Sequence, residues 1–518
     1  MTTLEPISRD LETQPPRAEF NRHYAAGRAQ VVWTRLIADL ETPVSAMLKL
    51  SDGQPLSCLL ESVQGGATRG RYSIIGLAPD VIWRAFGNRA EINQNPAAAP
   101  HVFKADGVTT LKSLRALLDR SRIELPSELP PIAAGIIGYM GYDTVRLVEH
   151  LPDQKPDALR LPDAVFVRPT LMVVFDTIKD EIAVVTPVRP APGIEADAAY
   201  AAALGRLRGV LAQLDAPLPH ATSMSGIDLA LPAARSNTTP AEYMAMVERG
   251  KDYIAAGDVF QVVLSQRFEA PFALPPLALY RALRRTNPSP FLFHLDFGEF
   301  ALVGSSPEIL VRVRDGEVTI RPLAGTRRRG ATPEEDLALE RELLADPKER
   351  AEHLMLLDLG RNDVGRVAKI GSVRVKESFA IERYSHVMHI GSHVVGALDE
   401  KHDVVDALMA GFPAGTLSGA PKVRAMEIID ELEKQKRGPY GGCVGYFSAD
   451  GEMDSCIVLR TALVKDGMIH VQAGAGIVAD SDPEAEQREC EYKVKALFKA
   501  AEEAVRFAQR SKRGNRPG

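Results

Sequence analysis

Short apolar runs rich in branched and aromatic residues alternate with turn residues along most of the chain, a pattern typical of β-strands. The most informative stretch runs from Tyr440 to Lys493. We predict three short strands there, because Gly451 and Asp466-Gly467 punctuate runs rich in Val, Ile and aromatic residues. A helix with three Glu residues then opens at Asp482-Pro483.

Polar groups interrupt this stretch where a purely structural sheet would be apolar. Arg460 lies inside the apolar run CIVLRTALV, and Gly474-Ala475-Gly476 breaks the strand that follows it. The arginine, the glycines that allow close approach to the backbone, and the carboxylates of the next helix would converge at one end of the sheet. Such a set suits a small anionic ligand together with a divalent metal.

The first half of the chain also alternates strand and turn signals. Strand-like runs occupy Val31 to Gly87, and the Gly-spaced apolar run over residues 132–150 predicts a buried strand followed by a turn. Residues 171–188 predict a β-hairpin. Helical periodicity covers Ala196 to Leu214, and residues 215–238, rich in Pro, Ser and Thr, predict a linker. We place the main domain boundary in this linker.

The second half opens on a clear helix signal. Thr239-Pro240-Ala241-Glu242 has the spacing of a capping box with Pro at the first helical position, which predicts a helix running to Gly257. The strand GDVFQVVLSQRFEA follows. We divide the chain into a polar leader, an N-terminal region, a helix with the linker, a C-terminal region and a basic tail, over residues 1–20, 21–190, 191–238, 239–505 and 506–518.

Composition narrows the function classes. The 518 residues are 45% hydrophobic and 25% charged, as in ordinary globular proteins, and the net charge of −6 argues against nucleic acid as a general partner. Any anion site must therefore be local. The four cysteines are too sparse for a disulfide framework, the first twenty residues lack an apolar core, and no 18-residue apolar run occurs. We expect a cytoplasmic protein.

Two predicted helices place carboxylates along apolar faces. In the helix that starts at Asp346-Pro347, Glu352 shares a face with Met355, Leu356 and Leu359. The last helix aligns five residues along one seam: Glu486, Glu489, Cys490, Lys493 and Leu497. A carboxylate beside an apolar stripe needs a partner. The two helices could hold one Mg²⁺ between them, or their glutamates could form salt bridges, and the spacing leaves both open.

The segment IERYSHVMHIGSHVVG, residues 381–396, predicts a strand in which His389 faces away from Met388 and Ile390. A histidine in such a position is either structural or, where it faces a cavity, a general acid or base.

These segments, with LLES at residues 59–62, PSPFLFHLDF from Pro288 and IRPLAGTRRRG from Ile320, resemble the chorismate-utilising enzymes, and most closely the anthranilate synthase component I family. The similar segments run from Thr239 to about residue 500, with weaker ones between Leu59 and Gly76. The resemblance implies an α+β fold of antiparallel β-sheets packed with helices, the chorismate-binding fold. The region 239–505 would then be catalytic and the region 21–190 regulatory.

The resemblance also implies an activity. Members of this family convert chorismate and ammonia to anthranilate and pyruvate, the first step of tryptophan biosynthesis, and tryptophan inhibits them by feedback. We expect a separate glutamine amidotransferase subunit, component II, to supply the ammonia, because neither end of the chain carries the Gly-flanked Cys and distant His and Glu of a glutaminase.

Site residues follow from the matching motifs. Glu352 and Glu489 match the Mg²⁺ ligands of the family, and His389 and Thr416 match residues near the reacting groups. The residues matching substrate contacts are Gly325, Thr326, Tyr440, Arg460, Gly474, Ala475, Gly476 and Lys493. The chain departs from the family at Cys490 and Tyr492, where Thr and Asn are usual, which leaves open whether the contacts around the metal ligands differ.

A second set of residues matches the tryptophan inhibitor site of the family: Glu61, Ser62, Pro290, Phe291, Leu292 and Cys456. From the residues alone, the first two could instead end a strand with a solvated Glu. The next three could be ordinary core packing.

Two positions discriminate between members of the family. Ala324 stands where enzymes making 4-amino-4-deoxychorismate commonly carry a nucleophilic Lys, and Gln261 stands where water-adding enzymes carry a basic Lys. An amide cannot deprotonate water. Both positions therefore favour ammonia as the direct nucleophile. The alternatives are an aminodeoxychorismate synthase, an aminodeoxyisochorismate synthase and a non-catalytic chorismate or tryptophan sensor.

Overall fold

The computed structural model describes residues 11–51, 53–64, 68–153, 155–219, 233–384 and 387–513. Its strands are β1 Gln30–Ile37, β2 Ser57–Gln64, β3 Thr68–Phe86, β4 Arg89–Asn93, β5 Lys104–Ala105, β6 Gly135–Met140, β7 Ala164–Asp176, β8 Glu181–Val188, β9 Arg235–Ser236, β10 Gln261–Pro271, β11 Phe291–Asp296, β12 Phe300–Ser306, β13 Ile309–Arg314, β14 Glu317–Ile320, β15 Leu323–Arg328, β16 Arg374–Arg383, β17 Val387–Ala397, β18 Gly419–Ala420, β19 Cys443–Ser448, β20 Met453–Ile457, β21 Thr461–Lys465 and β22 Met468–Ile477. Its α-helices are α1 Arg17–Ala25, α2 Pro43–Ser51, α3 Thr110–Ser121, α4 Ala196–Asp215, α5 Pro240–Ala255, α6 Pro276–Thr286, α7 Pro333–Ala345, α8 Pro347–Gly365, α9 Val404–Gly411, α10 Gly415–Ser418, α11 Lys422–Leu432 and α12 Pro483–Arg513, with 3₁₀ turns at Pro131–Ala133 and Tyr142–Leu147. Across the described ranges, every helix is too short or too polar to cross a membrane.

The described strands join into one hydrogen-bonded network of antiparallel pairs. β7 pairs with β3, β6 and β8. From β3, one arm continues through β2, β11, β12, β21 and β22 to β10. From β6, a second arm continues through β19, β20, β13 and β14 to β17, which also pairs with β15 and β16. The expected α+β fold with antiparallel strands is confirmed.

Each arm passes once from strands of the first half of the chain to strands of the second half. β2 pairs with β11, Leu60 opposite Phe293, and β6 pairs with β19, Gly138 opposite Gly445. The regions 21–190 and 239–505 therefore share one sheet. The buried strand, the hairpin and the helix predicted in the first half are present as β6, β7–β8 and α4.

Helix starts follow the local signals in the sequence. At α5 the side chain of Thr239 accepts a hydrogen bond from the backbone N of Glu242, and the carboxylate of Glu242 accepts one from the backbone N of Thr239, which completes the predicted capping box. At α8 the carboxylate of Asp346 accepts from the backbone N of Lys348 and Glu349. These caps fix where each helix begins and hence which side chains face the sheet.

The prediction of three strands between Tyr440 and Lys493 was wrong, because four are present, β19 to β22. Arg460 adopts a left-handed backbone conformation with φ of 49°, so the apolar run ends at Ile457 and resumes at Thr461. The glycines also do not break β22, since Gly474 and Gly476 stay paired with β10.

The segment 381–396 is a hairpin rather than one strand. β16 ends at Arg383, the backbone N of Tyr384 donates to the carbonyl O of Val387 at 2.8 Å, and β17 follows. Residues 385–386 lie outside the described residues. As predicted, His389 faces away from Met388 and Ile390, which are completely buried.

Ordered structure reaches into both terminal segments. Gln14 forms a β-bridge with Trp33, and α1 packs Phe20 against Tyr200, so residues 11–20 are part of the fold rather than a free leader. α12 continues to Arg513 through most of the expected basic tail. The described residues do not include 1–10, 220–232 and 514–518. Residues 220–232 make up most of the predicted linker.

Candidate active site

A cavity of about 500 Å³ is lined by the terminal strands of both arms and by α8, α10 and α12. β10 and β22 contribute from one arm, and β15 and β17 from the other. The cavity brings together the sequence-predicted metal, catalytic and substrate residues Gly325, Thr326, Glu352, His389, Thr416, Tyr440, Arg460, Gly474, Gly476, Glu489 and Lys493. Positions far apart in the sequence thus meet at one site.

Ala475 is the predicted substrate residue that the structure does not bring to this cavity. Successive residues of a strand point to opposite faces, so Gly474 and Gly476 line the cavity while Ala475 points away. Its side chain is completely buried in the core cluster that includes Tyr243 and Cys490. A ligand in the cavity therefore cannot touch the methyl group of Ala475.

One side of the cavity is acidic. Glu352 and Glu489 face it together with Glu349 and Glu486, to which the sequence analysis gave no role in metal binding. Burial, together with repulsion from Glu349 and Glu489, raises the pKa of Glu352. Burial and the charge of Glu489 also raise the pKa of Glu486. Carboxylates held this close repel one another unless a cation lies between them.

The donor set fits Mg²⁺. Within the described ranges no three His, Cys, Asp or Glu side chains group closely enough to hold a metal unaided. Mg²⁺, however, usually binds one or two carboxylates and takes its other oxygens from water and substrate. Glu489 Oε1 lies 2.6 Å from Lys493 Nζ, a salt bridge that uses one of its two carboxylate oxygens. Glu352 Oε1 accepts a 3.2 Å hydrogen bond from Gln261 Nε2 instead.

His389 is held with one ring nitrogen towards the protein. Its Nδ1 lies 3.0 Å from the carbonyl O of Gly325 and 3.1 Å from Oγ1 of Thr326. A carbonyl only accepts hydrogen bonds, so Nδ1 carries the proton and Nε2 keeps a free lone pair. Burial and the charge of Arg460 lower the pKa of His389 to about 4. The ring is therefore neutral near pH 7 and can accept a proton.

Arg460 brings positive charge to the same cavity. Its carbonyl O accepts a 3.2 Å hydrogen bond from the backbone N of Ser305, which fixes the left-handed turn. Burial lowers the pKa of Arg460, but a guanidinium remains charged in proteins. No acidic group in the described ranges lies within salt-bridge distance of it. A buried cation without a bound carboxylate favours an anionic ligand.

Glu308, which no motif in the sequence predicted, also lines the cavity. Its carboxyl group is buried, and each of its oxygens lies 3.2 Å from Oγ1 of Thr416. Burial raises the pKa of Glu308 to about 8, so the group is protonated near pH 7 and can donate a proton. The available signal was a carboxylate inside the otherwise apolar and small run ALVGSSPEILV.

The two discriminating positions, Gln261 and Ala324, both line the cavity. Two lysines line it as well, Lys348 and Lys493. Lys493 Nζ binds Glu489 and also donates to the carbonyl O of Gly474 at 2.9 Å, and Lys348 Nζ lies 3.1 Å from Asp480. Both amines are therefore occupied by other partners.

The family departures at Cys490 and Tyr492 fall outside this cavity. Cys490 is completely buried, and its Sγ donates a 3.1 Å hydrogen bond to Oη of Tyr243. Tyr492 is 77% exposed. Neither side chain contacts the carboxylates assigned to the metal.

A second cavity, of about 360 Å³, lies between strands of both halves of the chain. Five of the six predicted inhibitor residues line it: Glu61, Ser62, Phe291, Leu292 and Cys456. Pro290 lies beside it, just before β11, and is not part of the lining. Arginines 71, 312 and 314 and Asp454 add charge to the apolar wall. A zwitterion with an aromatic side chain would suit this combination.

Glu61 is not a solvated residue at a strand end. It lies within β2, its side chain is 4% exposed, and its carboxylate accepts hydrogen bonds from Tyr280 Oη at 2.5 Å and Arg284 Nε at 2.6 Å. The carboxylate is therefore already satisfied by protein groups. Its contribution to the second cavity is structural support for β2.

A family model described as chorismate binding enzyme matches residues 64–499. Anthranilate synthase component 1 of Cereibacter sphaeroides is 58% identical over 495 residues, covering 96% of this chain and 99% of that protein. The protein of the same name from Pseudomonas aeruginosa is 48% identical over 500 residues, covering 94% and 99%.

Solved structures are also similar to this chain. The crystal structure of anthranilate synthase component I from Streptococcus pneumoniae matches with a TM-score of 0.72 and 38% identity, covering 83% of this chain and 92% of that one. The menaquinone-specific isochorismate synthase of Escherichia coli matches with a TM-score of 0.68 at 20% identity, covering 94% and 98%. The latter likeness concerns the fold.

Proposed function

Because the chain belongs to the chorismate-binding enzyme family, as an anthranilate synthase component I, we propose that it converts chorismate and ammonia to anthranilate and pyruvate in the 500 Å³ cavity. One observation carries the proposal. The cavity brings Arg460 together with the acidic pair Glu352 and Glu489, with an amide at position 261 and a methyl group at position 324. This arrangement suits a dicarboxylate substrate that reacts with ammonia.

We assign substrate binding to Arg460 and to the backbone groups that line the cavity. The guanidinium of Arg460 would form a charge-assisted hydrogen bond with a carboxylate of chorismate, which contributes about 1.5–3 kcal/mol. Tyr440 and the backbone of Gly474 and Gly476 line the same wall and would fix the rest of the substrate. A Cβ at Gly474 would lie 2.6 Å from the carbonyl O of Leu264, and one at Gly476 would lie 2.8 Å from Gln261 Nε2, so atoms of the neighbouring strand β10 occupy the space of a side chain at both positions.

Glu352 and Glu489 would hold Mg²⁺, and Glu349 and Glu486 line the same cavity. When bound, the ion supplies Lewis-acid polarisation to the ring carboxylate of the substrate. The raised pKa of Glu352 supports this assignment, because a cation would relieve the repulsion from its neighbours.

Loss of the ring hydroxyl as water requires a proton. Glu308, protonated near pH 7, is the proton donor available beside Thr416, and Thr416 matches a residue near the leaving groups. As the C–O bond breaks, the proton moves from Glu308 to the departing oxygen. Thr416 Oγ1 then donates a hydrogen bond to the carboxylate that remains.

Ammonia would form the new C–N bond directly. Gln261 Oε1 is buried and accepts no hydrogen bond from the described residues, so it can accept one from an N–H of ammonia. The methyl group of Ala324 offers no competing nucleophile. In the second half-reaction Nε2 of His389 would take the ring proton as the C–O bond to the enolpyruvyl group breaks, which leaves the ring aromatic. The released enolpyruvate becomes pyruvate when its methylene carbon takes up a proton.

The second cavity is proposed as a feedback site for tryptophan. Its apolar wall and its arginines fit an aromatic amino acid, and its lining takes residues from both halves of the chain. Component II is proposed as the source of ammonia. We place the reaction in the cytoplasm, because Cys58, Cys443, Cys456 and Cys490 are all free thiols, as a reducing compartment favours.

The experiment is to give the purified chain chorismate and Mg²⁺ with either ammonium at alkaline pH or glutamine alone. We expect fluorescent anthranilate with ammonium and none with glutamine. Equal activity with glutamine would refute the need for a second subunit. An aminated product that retains the enolpyruvyl group, identified by mass spectrometry, would refute the anthranilate assignment.

A further inference from the structure

A buried ion pair lies directly behind the wall of the active-site cavity. Arg437 is 2% exposed and Glu433 is 4% exposed, and Nη2 of the arginine lies 2.5 Å from Oε1 of the glutamate. Neither residue lines the cavity. Both follow α11, outside every motif to which the sequence analysis assigned a role.

Arg437 connects three elements that form the wall. Its Nη1 donates to the carbonyl O of Leu417 and its Nη2 to the carbonyl O of Val263, both at 2.7 Å. Its guanidinium lies 5.5 Å from the ring centroid of Tyr440 and 4.6 Å from that of Tyr142. Leu417, Val263 and Tyr440 all line the cavity.

Glu433 fixes the same strand at a second point. Its Oε1 accepts hydrogen bonds from the backbone N and from Oγ of Ser265, both at 2.8 Å. The ion pair therefore holds β10 at Val263 and at Ser265. In the ladder between β10 and β22 these residues stand opposite Gly476 and Gly474, the two glycines that line the cavity.

A buried ion pair is an unfavourable choice for a protein core in terms of free energy. Removing two charges from water costs several kcal/mol, and apolar residues of similar volume often stabilise a fold as well or better. Apolar residues, however, cannot form directional hydrogen bonds. The planar guanidinium donates along fixed lines, here to two carbonyl groups on different elements and to Glu433 Oε2 at 3.0 Å.

We propose that Arg437, paired with Glu433, is a positioning residue for the reaction. It holds Val263, Leu417 and Tyr440 in register, and through β10 it sets the glycine wall that receives the substrate. The inference rests on the proposed function in so far as that substrate is chorismate. The pair acts through these cavity residues, so its loss should weaken chorismate binding more than it slows the chemical steps.

Two variants test the inference. Arg437→Lys keeps the positive charge but cannot reach both carbonyl groups and Glu433 together. The double variant Glu433→Leu, Arg437→Met removes both charges and leaves no unpaired ion in the core. Arg424→Lys on α11, whose guanidinium forms an exposed pair with Glu427, is the matched control.

Chorismate affinity is measured with Mg²⁺ by calorimetry without ammonia, and KM and kcat are measured with ammonium. We expect Arg437→Lys to raise both Kd and KM by about tenfold or more, with kcat lowered less than threefold. The double variant should show the same rise while its unfolding midpoint stays near that of the wild type. Arg424→Lys should be unchanged.

If both variants keep the wild-type Kd and KM and only their unfolding midpoints fall, the pair has a structural role. That result would overturn this inference but not the proposed function. A wild-type chain that binds no chorismate would overturn the proposed function, and this inference with it.

Discussion

Gln261 Nε2 donates a 3.2 Å hydrogen bond to Oε1 of Glu352. This hydrogen bond connects the residue proposed to bind ammonia, the nucleophile, with a carboxylate proposed to bind Mg²⁺. Since a carboxylate only accepts, it also fixes which end of the amide is the donor. Gln261 Oε1 remains as a buried acceptor without a partner among the described residues. The orientation of one amide therefore links metal binding to the choice between ammonia and water.

Replacing Gln261 by lysine should change the nucleophile. An amine beside Glu352 can take a proton from water, and it cannot accept a hydrogen bond from ammonia while protonated. We expect Gln261→Lys to lower anthranilate formation by about 100-fold and to yield a hydroxylated product. The measurement is the product ratio by liquid chromatography and mass spectrometry at a fixed ammonium concentration.

The matched control for this exchange is Gln261→Met, which keeps the length of the side chain but has neither charge nor amide. It should lose anthranilate formation without gaining the hydroxylated product. Anthranilate formation at the wild-type rate by Gln261→Lys would contradict the role given to the amide.

Glu352→Gln and Glu489→Gln should each weaken Mg²⁺ binding. An amide oxygen carries no net charge, so it attracts a divalent cation less than a carboxylate does. We expect the Mg²⁺ concentration for half-maximal activity to rise by about tenfold or more, and chelation to abolish wild-type activity. Glu484→Gln is the control, because this residue lies on the same helix with a side chain that is 71% exposed. An unchanged Mg²⁺ requirement in either variant would remove that residue from the metal site.

Glu308→Gln should remove the proton donor. We expect kcat to fall by about 100-fold or more, because proton transfer to a leaving group typically contributes 10²–10⁴-fold. The pKa of Glu308 is raised to about 8, so its acid form is present below that pH and lost above it. Plotted against free ammonia rather than total ammonium, the wild-type rate should therefore fall as the pH rises through about 8. A flat profile would count against Glu308.

Folding stability gives an independent check on the same residue. A carboxyl group whose pKa is raised by folding stabilises the native state fully at pH values below its unfolded pKa. That stabilisation is lost as the pH rises through the folded value of about 8. Glu308→Gln has no such titration. Its unfolding midpoint, compared with that of the wild type, should therefore rise from pH 5 to about pH 8 and then level off.

Ser62→Ala should weaken inhibition by tryptophan while sparing uninhibited activity. Ser62 lines the second cavity on β2. Loss of one hydrogen bond from a buried ligand should raise the inhibition constant by about tenfold. Ser57→Ala, at the other end of the same strand and outside the cavity, is the control. Equal inhibition of Ser62→Ala and the wild type would place the inhibitor elsewhere.

Much of the site could be predicted because its motifs contain polar residues that stand out in the sequence. Glu352, His389 and Arg460 interrupt apolar patterns, and a polar residue in an apolar run is visible without a structure. Ala475 shows the limit of that approach. Its motif matches, but strand alternation turns its side chain into the core, and the register depends on the pairing of β22 with β10.

Other features depend on contacts between distant segments. The high pKa of Glu308 arises from burial by elements far away in the chain, and no local pattern encodes it. The same holds for Arg437, whose partners Val263 and Leu417 lie well apart in sequence. The split of one apolar run into β20 and β21 reflects a backbone conformation at Arg460 that non-glycine residues rarely adopt.

In the proposed reaction this chain joins the nitrogen of ammonia to the ring of chorismate and releases pyruvate. Incubation of the purified chain with chorismate, Mg²⁺ and ¹⁵N-labelled ammonium, followed by mass spectrometry, tests it most directly. We expect labelled anthranilate and an equal amount of pyruvate from the wild type, and strongly reduced amounts of both from Glu352→Gln. An unlabelled hydroxylated product, or labelled product without pyruvate, would contradict the proposed reaction.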